Sequence, residues 1–253
     1  MAILICATSK SLRTTSSSCA HRPVRSPRGP DLFKGRPSSI RLVLPAEIAP
    51  GLLHWTAPHP DWNPRAAPGS AEDWGQMVGS VLYEMADVVA LIDPLLPSDG
   101  RAQFLCWLDE RIAARQVSVL TTIRWHRRDR EQLAERYRAN ISRAWNAVPA
   151  GVEPRPLRGA GETLFWLPAV ATLLAGDRLV GAEAGGLRLC PQSWLGRAQV
   201  DRAGLAELLR PLLELPIERV LVSHGEPVLR SGRLALARAI AEAQDVARAS
   251  VRP

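Results

Sequence analysis

The sequence predicts a layered α/β fold in which helices cover two β-sheets. Two observations lead to this class. The predicted elements run in the order strands, helix–strand–helix, strands, helix–strand–helix. In addition, several apolar strands end directly in a histidine or an aspartate, a pattern typical of sheets whose end loops carry a functional site. The length of 253 residues allows a sizeable core, and no repeat of 20 to 50 residues is visible.

The first block of strands lies between residues 41 and 93. Runs of β-branched and apolar residues bounded by turn residues predict four strands, at 41–44, 52–56, 78–85 and 88–92. Ala49-Pro50-Gly51 and Ala86-Asp87 form the predicted turns, and a proline-rich loop covers 57–75. The last strand ends at Asp93-Pro94, because proline cannot continue the hydrogen-bond ladder.

A helix–strand–helix unit follows. Ser98 or Asp99 is the predicted cap of a helix that runs to about residue 115, with an apolar stripe on one face. The strand 117–121 then enters the polar loop 122–129, and a second helix covers 130–139. A buried strand that leads directly into histidine, arginine and aspartate favours a site in this loop.

The second half repeats this order of elements. The predicted strands are 152–156, 163–167, 171–174, 178–180 and 219–223. A loop marked by Gly185-Gly186 and Pro191 precedes a helix over 201–215, which Asp201 caps and which Pro211 kinks or splits. The final helix covers 233–249.

Residues 1–39 are rich in serine, arginine and proline, and we predict a disordered basic tail before a folded domain at 40–253. A transit peptide or a non-native extension remains an alternative for this segment. The tail holds seven basic residues against Asp31 alone, so it carries six of the seven net positive charges. The folded part is therefore close to neutral, which argues against nucleic acid as a partner.

No apolar run is long enough to cross a bilayer, so we expect a soluble protein without a membrane partner. The four cysteines are Cys6, Cys19, Cys106 and Cys190, and none of them forms a CxxC pair. This spacing disfavours a zinc ribbon or a disulfide framework and favours a cytoplasmic location.

Polar residues recur where predicted strands end: Asp93, His126, Asp177 and His224. Imidazole and carboxylate groups that converge on one sheet edge suit zinc, iron or manganese. Taken singly, each residue has an ordinary alternative. Asp93-Pro94 and Gly176-Asp177 are common turn pairs, and a lone histidine is more often a hydrogen-bonded loop residue.

Taken together, these segments resemble the metallo-β-lactamase-fold superfamily over about residues 40–245. The resemblance depends on Leu91-Ile92-Asp93, Leu120-Thr121 with its polar loop, Gly176-Asp177 and Ser223-His224-Gly225. It implies a four-layer αββα sandwich, in which two mixed β-sheets are flanked by helices and hold one or two metal ions at their edge. The family motif after Leu-Thr is H-x-H-x-D-H.

This motif is degenerate here. Thr122 and Arg124 stand at its first two histidine positions, His126 at its aspartate and Arg127 at its last histidine. Asp177 matches the family's bridging aspartate and His224 its final histidine, while Glu162 aligns loosely with the remaining histidine.

The resemblance therefore implies one divalent ion (Zn, Fe or Mn) held by His126, Asp177, His224 and Glu162, with His126 and Asp177 as the catalytic residues. The alternative is no metal at all, with Arg124 or Arg127 filling its place and pairing with Asp177 or Glu162.

The predicted substrate-binding residues are His59, Asp61, Asp93, Arg124 and Arg127. His59 and Asp61 lie in the stretch 53–62, where Trp55 or Trp62 is expected to form an apolar wall. An ordinary proline-stiffened loop pinned by tryptophans explains the same pattern.

Three functions follow. The first is a metal-dependent hydrolase with a mono-metal site and a small-molecule substrate of unknown identity. The second is a non-catalytic binding protein on the same fold, with the metal lost and an arginine-lined pocket. The third is a protein–protein contact through the tryptophan-rich loop.

Overall fold

The computed structural model describes residues 45–141, 148–196 and 198–251. The predicted tail at 1–39 and the predicted strand at 41–44 lie outside these residues.

Six strands form the first sheet, in the order of the chain. They are β1 (Ala46–Ala49), β2 (Leu52–Pro58), β3 (Met77–Glu84), β4 (Val88–Ile92), β5 (Gln116–Leu120) and β6 (Asn140–Ile141). β1 to β4 pair antiparallel, whereas β4, β5 and β6 pair parallel, so the sheet is mixed as predicted.

The second sheet is also mixed. It contains β7 (Glu153–Leu157), β8 (Glu162–Leu167), β9 (Thr172–Ala175) and β12 (Arg219–Val222), in the order β12-β9-β8-β7. β12 and β9 pair parallel, and the other pairs are antiparallel. β10 (Leu179–Ala182) and β11 (Gly186–Leu189) form a separate hairpin. β11 was predicted as a loop, because glycine and proline flank its few apolar residues.

The helices are α1 (Arg101–Ile112), α2 (Arg130–Tyr137), α3 (Gln192–Leu195), α4 (Arg202–Leu209) and α5 (Gly232–Val251). The predicted cap of α1 is wrong, since Gly100 occupies the cap position with a φ of 67° and no side chain caps the helix. Asp201 does cap α4, where its carboxylate accepts the Gly204 N–H at 2.8 Å. The helix splits as predicted near Pro211, and a 3₁₀ turn continues it over Arg210–Glu214. No helix in the described segments is long and apolar enough to cross a membrane.

Alternation along the strands produces the four layers. In β4, Leu91 packs outward against α1 and α2, and the next residue, Ile92, packs inward between the sheets. Leu174 and Leu221 meet it from the second sheet. The outer face of that sheet packs against α4 and α5. The αββα sandwich is therefore confirmed.

Two of the parallel strand pairs place the candidate residues at one edge. Ile92 of β4 pairs with Leu120 of β5, so Asp93 and the polar loop leave the first sheet side by side. Ala175 of β9 pairs with Val222 of β12, so Asp177 and His224 leave the second sheet together. A bridge between Val78 and His224 joins these edges.

Candidate metal centre

His126 lies between two carboxylates. It is buried, and its Nδ1 lies 2.9 Å from the carboxylate of Asp93 while its Nε2 lies 2.9 Å from Oδ1 of Asp177. Asp93 has a φ of 46°, a strained value for a residue with a Cβ. Its other oxygen accepts the Thr122 N–H at 2.9 Å, and the Thr122 hydroxyl donates to the carboxylate as well. Thr122 thus fixes the carboxylate of Asp93, and this carboxylate fixes the orientation of the His126 imidazole.

Asp177 is the centre of the cluster. Its Oδ1 lies 3.2 Å from Nε2 of His224 in addition to the contact with His126. Its Oδ2 accepts the indole N–H of Trp125 at 2.6 Å. The turn before it depends on Gly176, because a Cβ there would overlap the side chain of Thr122.

The donor atoms of His126, Asp177 and His224 all lie within 4.8 Å of one another. Oδ1 of Asp177 is buried, and although both imidazole nitrogens lie within ion-pair distance, neither contact has the angle of a hydrogen bond. The two nitrogens and the oxygen face a common space and do not hydrogen-bond to one another. Such a set of donor atoms suits a transition metal ion with nitrogen and oxygen ligands. These residues therefore fit a single ion.

Charges in the cluster shift its pKa values strongly. Burial alone would lower the pKa of His126, but the nearby charges of Asp177 and Asp93 outweigh it and raise this pKa to about 9. Burial opposes ionisation of Asp177, yet the two histidines hold its pKa well below the ordinary range. An ion that binds here must replace the proton on Nε2 of His126, because a ligating imidazole is neutral.

Glu162, predicted as a fourth ligand, has a different role in the structure. Its buried carboxylate accepts three backbone N–H groups of the turn after β9, from Gly176 and Asp177 at 2.8 Å and from Arg178 at 2.9 Å. The three-residue cluster does not include it. Burial raises the pKa of Glu162 to about 7, with the charge of Asp177 contributing. A carboxylate in this position fixes the turn that carries Asp177.

No protein-family model matches the sequence, and a search of curated proteins finds no match either. Solved structures do match. The metallo-β-lactamase DIM-1 aligns with a TM-score of 0.55 and 12% identity over 83% of this chain and 100% of its own. A metallo-β-lactamase from Erythrobacter litoralis aligns at 0.53 and 17% identity, over 80% and 92% of the two chains. FIM-1 from Pseudomonas aeruginosa, in its mono-zinc form, aligns at 0.51 and 14%, over 79% and 96%.

This chain has the metallo-β-lactamase fold. Identities of this size establish the architecture alone, so any chemistry has to be argued from the residues present.

A cleft of about 910 Å³ opens above the cluster in this metallo-β-lactamase fold. His59 and Asp61 of the loop 57–75 line it, together with Trp74, Trp125 and Trp194. The predicted walls are wrong in detail. Trp55 is buried against Phe104, and the indole of Trp62 donates to the backbone carbonyl of Trp74, so neither ring lines the cleft.

The predicted arginines divide between the cleft and the surface. Arg124 lines the cleft with its guanidinium 5.8 Å from the ring centre of Trp125. Arg127 is excluded from the lining, since it is exposed and pairs with Glu131 at 2.9 Å. Neither is within ion-pair distance of Asp177 or Glu162, so the predicted replacement of the metal by one of them is not seen among the described residues.

Asp93 was predicted to contact the substrate, but it lies behind His126 and does not line the cleft.

Two cleft residues were missed. Arg128 enters the cleft next to Arg127, and its φ of 40° turns the side chain inward. Arg178 is almost fully buried, donates to the carbonyls of Ala160 and Trp194, and places its guanidinium 5.6 Å from the ring centre of Trp125. The sequence contains no signal for a positive φ at an arginine, and basic residues are usually exposed.

Proposed function

We propose that this protein is a metal-dependent hydrolase of small molecules, with one zinc, iron or manganese ion held by His126, Asp177 and His224. The observation that carries this proposal is the convergence of three buried donor atoms within 4.8 Å at the base of a large cleft. FIM-1 was crystallised in a mono-zinc form, which supports a single ion on this fold.

The surrounding residues support ligation in a specific way. A bond from Nδ1–H of His126 to Asp93 leaves Nε2 as the ligand atom, the arrangement common behind metal-bound histidines. The indole of Trp125 occupies Oδ2 of Asp177 and so leaves Oδ1 toward the two imidazoles. Both contacts therefore select the nitrogen and the oxygen that face the common space.

An ion held by His126, Asp177 and His224 would supply hydroxide for hydrolysis, since a water ligand of such an ion has a pKa of about 7. The chain's own contribution is to orient and enclose. Asp177 and His126 lie at the reacting centre, and the rings of Trp74 and Trp194 lie 5.6 Å and 5.1 Å from that of His224. These indoles form a wall against which the apolar part of a substrate packs while water is displaced.

The test is metal content and its dependence on the three ligands. Protein purified without chelator should retain close to one equivalent of a transition metal, and added zinc should raise its melting temperature by mass action. His126→Ala, Asp177→Asn and His224→Ala should each abolish retention. His59→Ala is the matched control, since this imidazole lines the cleft outside the cluster. Less than about a tenth of an equivalent, with no thermal gain on adding zinc, iron or manganese, would refute the proposal.

A non-catalytic binding protein is the second candidate, and one observation favours it. A protonated His126 would form ion pairs with Asp93 and Asp177, both at the observed distance of 2.9 Å, without any metal ion. The metal analysis distinguishes the two functions, because a binding protein of this second kind would be stable and metal-free.

A further inference from the structure

Arg128 is a partly buried cation in the wall of the cleft. Its Nη1 donates to the backbone carbonyls of Gly79 and Asp93, both at 2.7 Å. Among the described residues, no carboxylate lies within ion-pair distance of it, and the charges of Asp93 and Asp177 act on it only from farther away. Its Nε is buried and has no hydrogen-bond acceptor in the described segments. A charge removed from water normally pairs directly with an opposite charge, so this guanidinium keeps a capacity to bind an anion.

The backbone supports a role for this side chain. Arg128 and Asp93 both adopt positive φ, of 40° and 46°, and the carbonyl of Asp93 accepts from Arg128. Such residues are strained and persist only where the surrounding structure holds them. The consequence is that Arg128 points into the cleft, while the preceding Arg127 points to solvent and pairs with Glu131.

Trp74, Trp125 and Trp194 line the same cleft, together with the arginines Arg124 and Arg178. Trp74 and Trp194 contact the ring of His224 edge-on, at ring-centre distances of 5.6 Å and 5.1 Å. Trp125 is half-exposed, and the guanidinium groups of Arg124 and Arg178 lie 5.8 Å and 5.6 Å from its ring centre. Indole faces and edges of this kind favour a flat apolar molecule.

We propose that Arg128 binds the carboxylate of a substrate whose flat apolar body packs against the tryptophans of the cleft. This inference names the substrate class of the hydrolase proposed above, and as a statement about catalysis it rests on that proposed function.

Geometry favours a carboxylate over a phosphate. The carbonyls of Gly79 and Asp93 use Nη1 of Arg128, and Nε is enclosed, so Nη2 alone remains for a ligand in the cleft. One Nη2 group matches a singly charged carboxylate. A phosphate dianion needs several donors, and the charge of Asp177 would repel it about twice as strongly as it repels a carboxylate.

The test uses three probes with the same ring system: 2-naphthoate, 2-naphthamide and 2-naphthyl phosphate, measured by calorimetric titration of the full chain. 2-Naphthoate should bind at least about tenfold more tightly than 2-naphthamide, the size of one charge-assisted hydrogen bond. Arg128→Gln should remove this discrimination, and Arg128→Lys should keep part of it. Arg127→Gln is the matched control, because it makes the same change one residue away on the surface, and it should leave all affinities unchanged.

The titrations are run with zinc and again with a chelator. Discrimination that persists without metal and is lost in Arg128→Gln shows that Arg128 supplies it, even if the chain proves not to be a hydrolase, whereas discrimination that survives in a folded Arg128→Gln protein overturns the proposal. Discrimination that disappears with the chelator shows that the carboxylate binds an ion instead and overturns the proposal. Equal affinity for the acid and the amide in the unaltered protein overturns it too, so the result does not depend on whether Arg128→Gln folds. Tighter binding of the phosphate refutes the carboxylate assignment.

Discussion

Asp93→Asn tests the ligand geometry most directly. The amide oxygen of asparagine can replace only one of the two carboxylate oxygens. The Thr122 N–H, 2.9 Å from Oδ1 of Asp93, is a pure donor and requires that oxygen. The new NH₂ group then faces Nδ1 of His126, where the native Oδ2 lies at 2.9 Å. Since two donors cannot meet, Nδ1 becomes the acceptor and the proton moves to Nε2.

An imidazole with a proton on Nε2 cannot bind a metal through that nitrogen. Loss of an outer-shell partner ordinarily costs about 10- to 100-fold in metal affinity, and a wrong tautomer should place this variant at or beyond the upper value. Zinc affinity is measured by competition with a chromophoric chelator, with circular dichroism to check folding. Asp61→Asn makes the same chemical change in the loop that lines the cleft and should leave zinc affinity unchanged. A folded Asp93→Asn protein that binds zinc within about threefold of the native protein would refute this argument.

Two further predictions concern stability. Burial lowers the pKa of His54 to about 4. Between about pH 6.5 and pH 4, the unfolded chain therefore binds a proton at His54 that the folded chain does not bind. As a result, the free energy of unfolding decreases as the pH falls through this range. At pH 5 the free energy of unfolding is lower by about 2 kcal/mol for this reason. Urea titrations at pH 7.5 and pH 5 should show a smaller loss in His54→Leu than in the native protein. Equal losses in both proteins would contradict this prediction. A Cβ on Gly181 would overlap the backbone of Glu226 beside the loop of His224, so Gly181→Ala should lower the melting temperature and zinc retention together. Gly75→Ala, which has open space, is its control, and a Gly181→Ala protein as stable as this control would show that the loop can move freely.

Much of the fold could be predicted from the sequence because period-two alternation and turn residues are local signals. Leu91 and Ile92 illustrate this, since consecutive apolar residues in a strand buried on both faces must serve two different cores. The class and the strand ends followed from such patterns. β11 and the cap of α1 did not, because glycine serves turns, caps and strands alike and its context decides which.

The site was harder to predict from the sequence than the fold, for a different reason. Strand ends placed His126, Asp177 and His224 on one edge, and the structure brings them together. The use of each remaining polar group depends on which hydrogen-bond partner lies nearest in space. Glu162 accepts three backbone N–H groups, and Arg128 turns inward at one unusual φ. Neither fact is encoded in spacing or residue type.

Electrostatics connects the metal centre with the proposed carboxylate site. Asp93 and Asp177 carry two negative charges, and Arg128 and the protonated His126, whose pKa is raised to about 9, carry two positive charges, so these four groups are neutral together without metal. A divalent ion that replaces the His126 proton leaves a net positive charge, which a single carboxylate neutralises. Zinc should therefore raise the affinity for 2-naphthoate by at least about fivefold, and 2-naphthoate should raise the affinity for zinc by the same factor, because coupling between two sites is reciprocal. 2-Naphthamide carries no charge and should show no such coupling. If zinc leaves the affinity for 2-naphthoate unchanged, the ion and Arg128 do not act on a common ligand, and the two sites must be treated as independent.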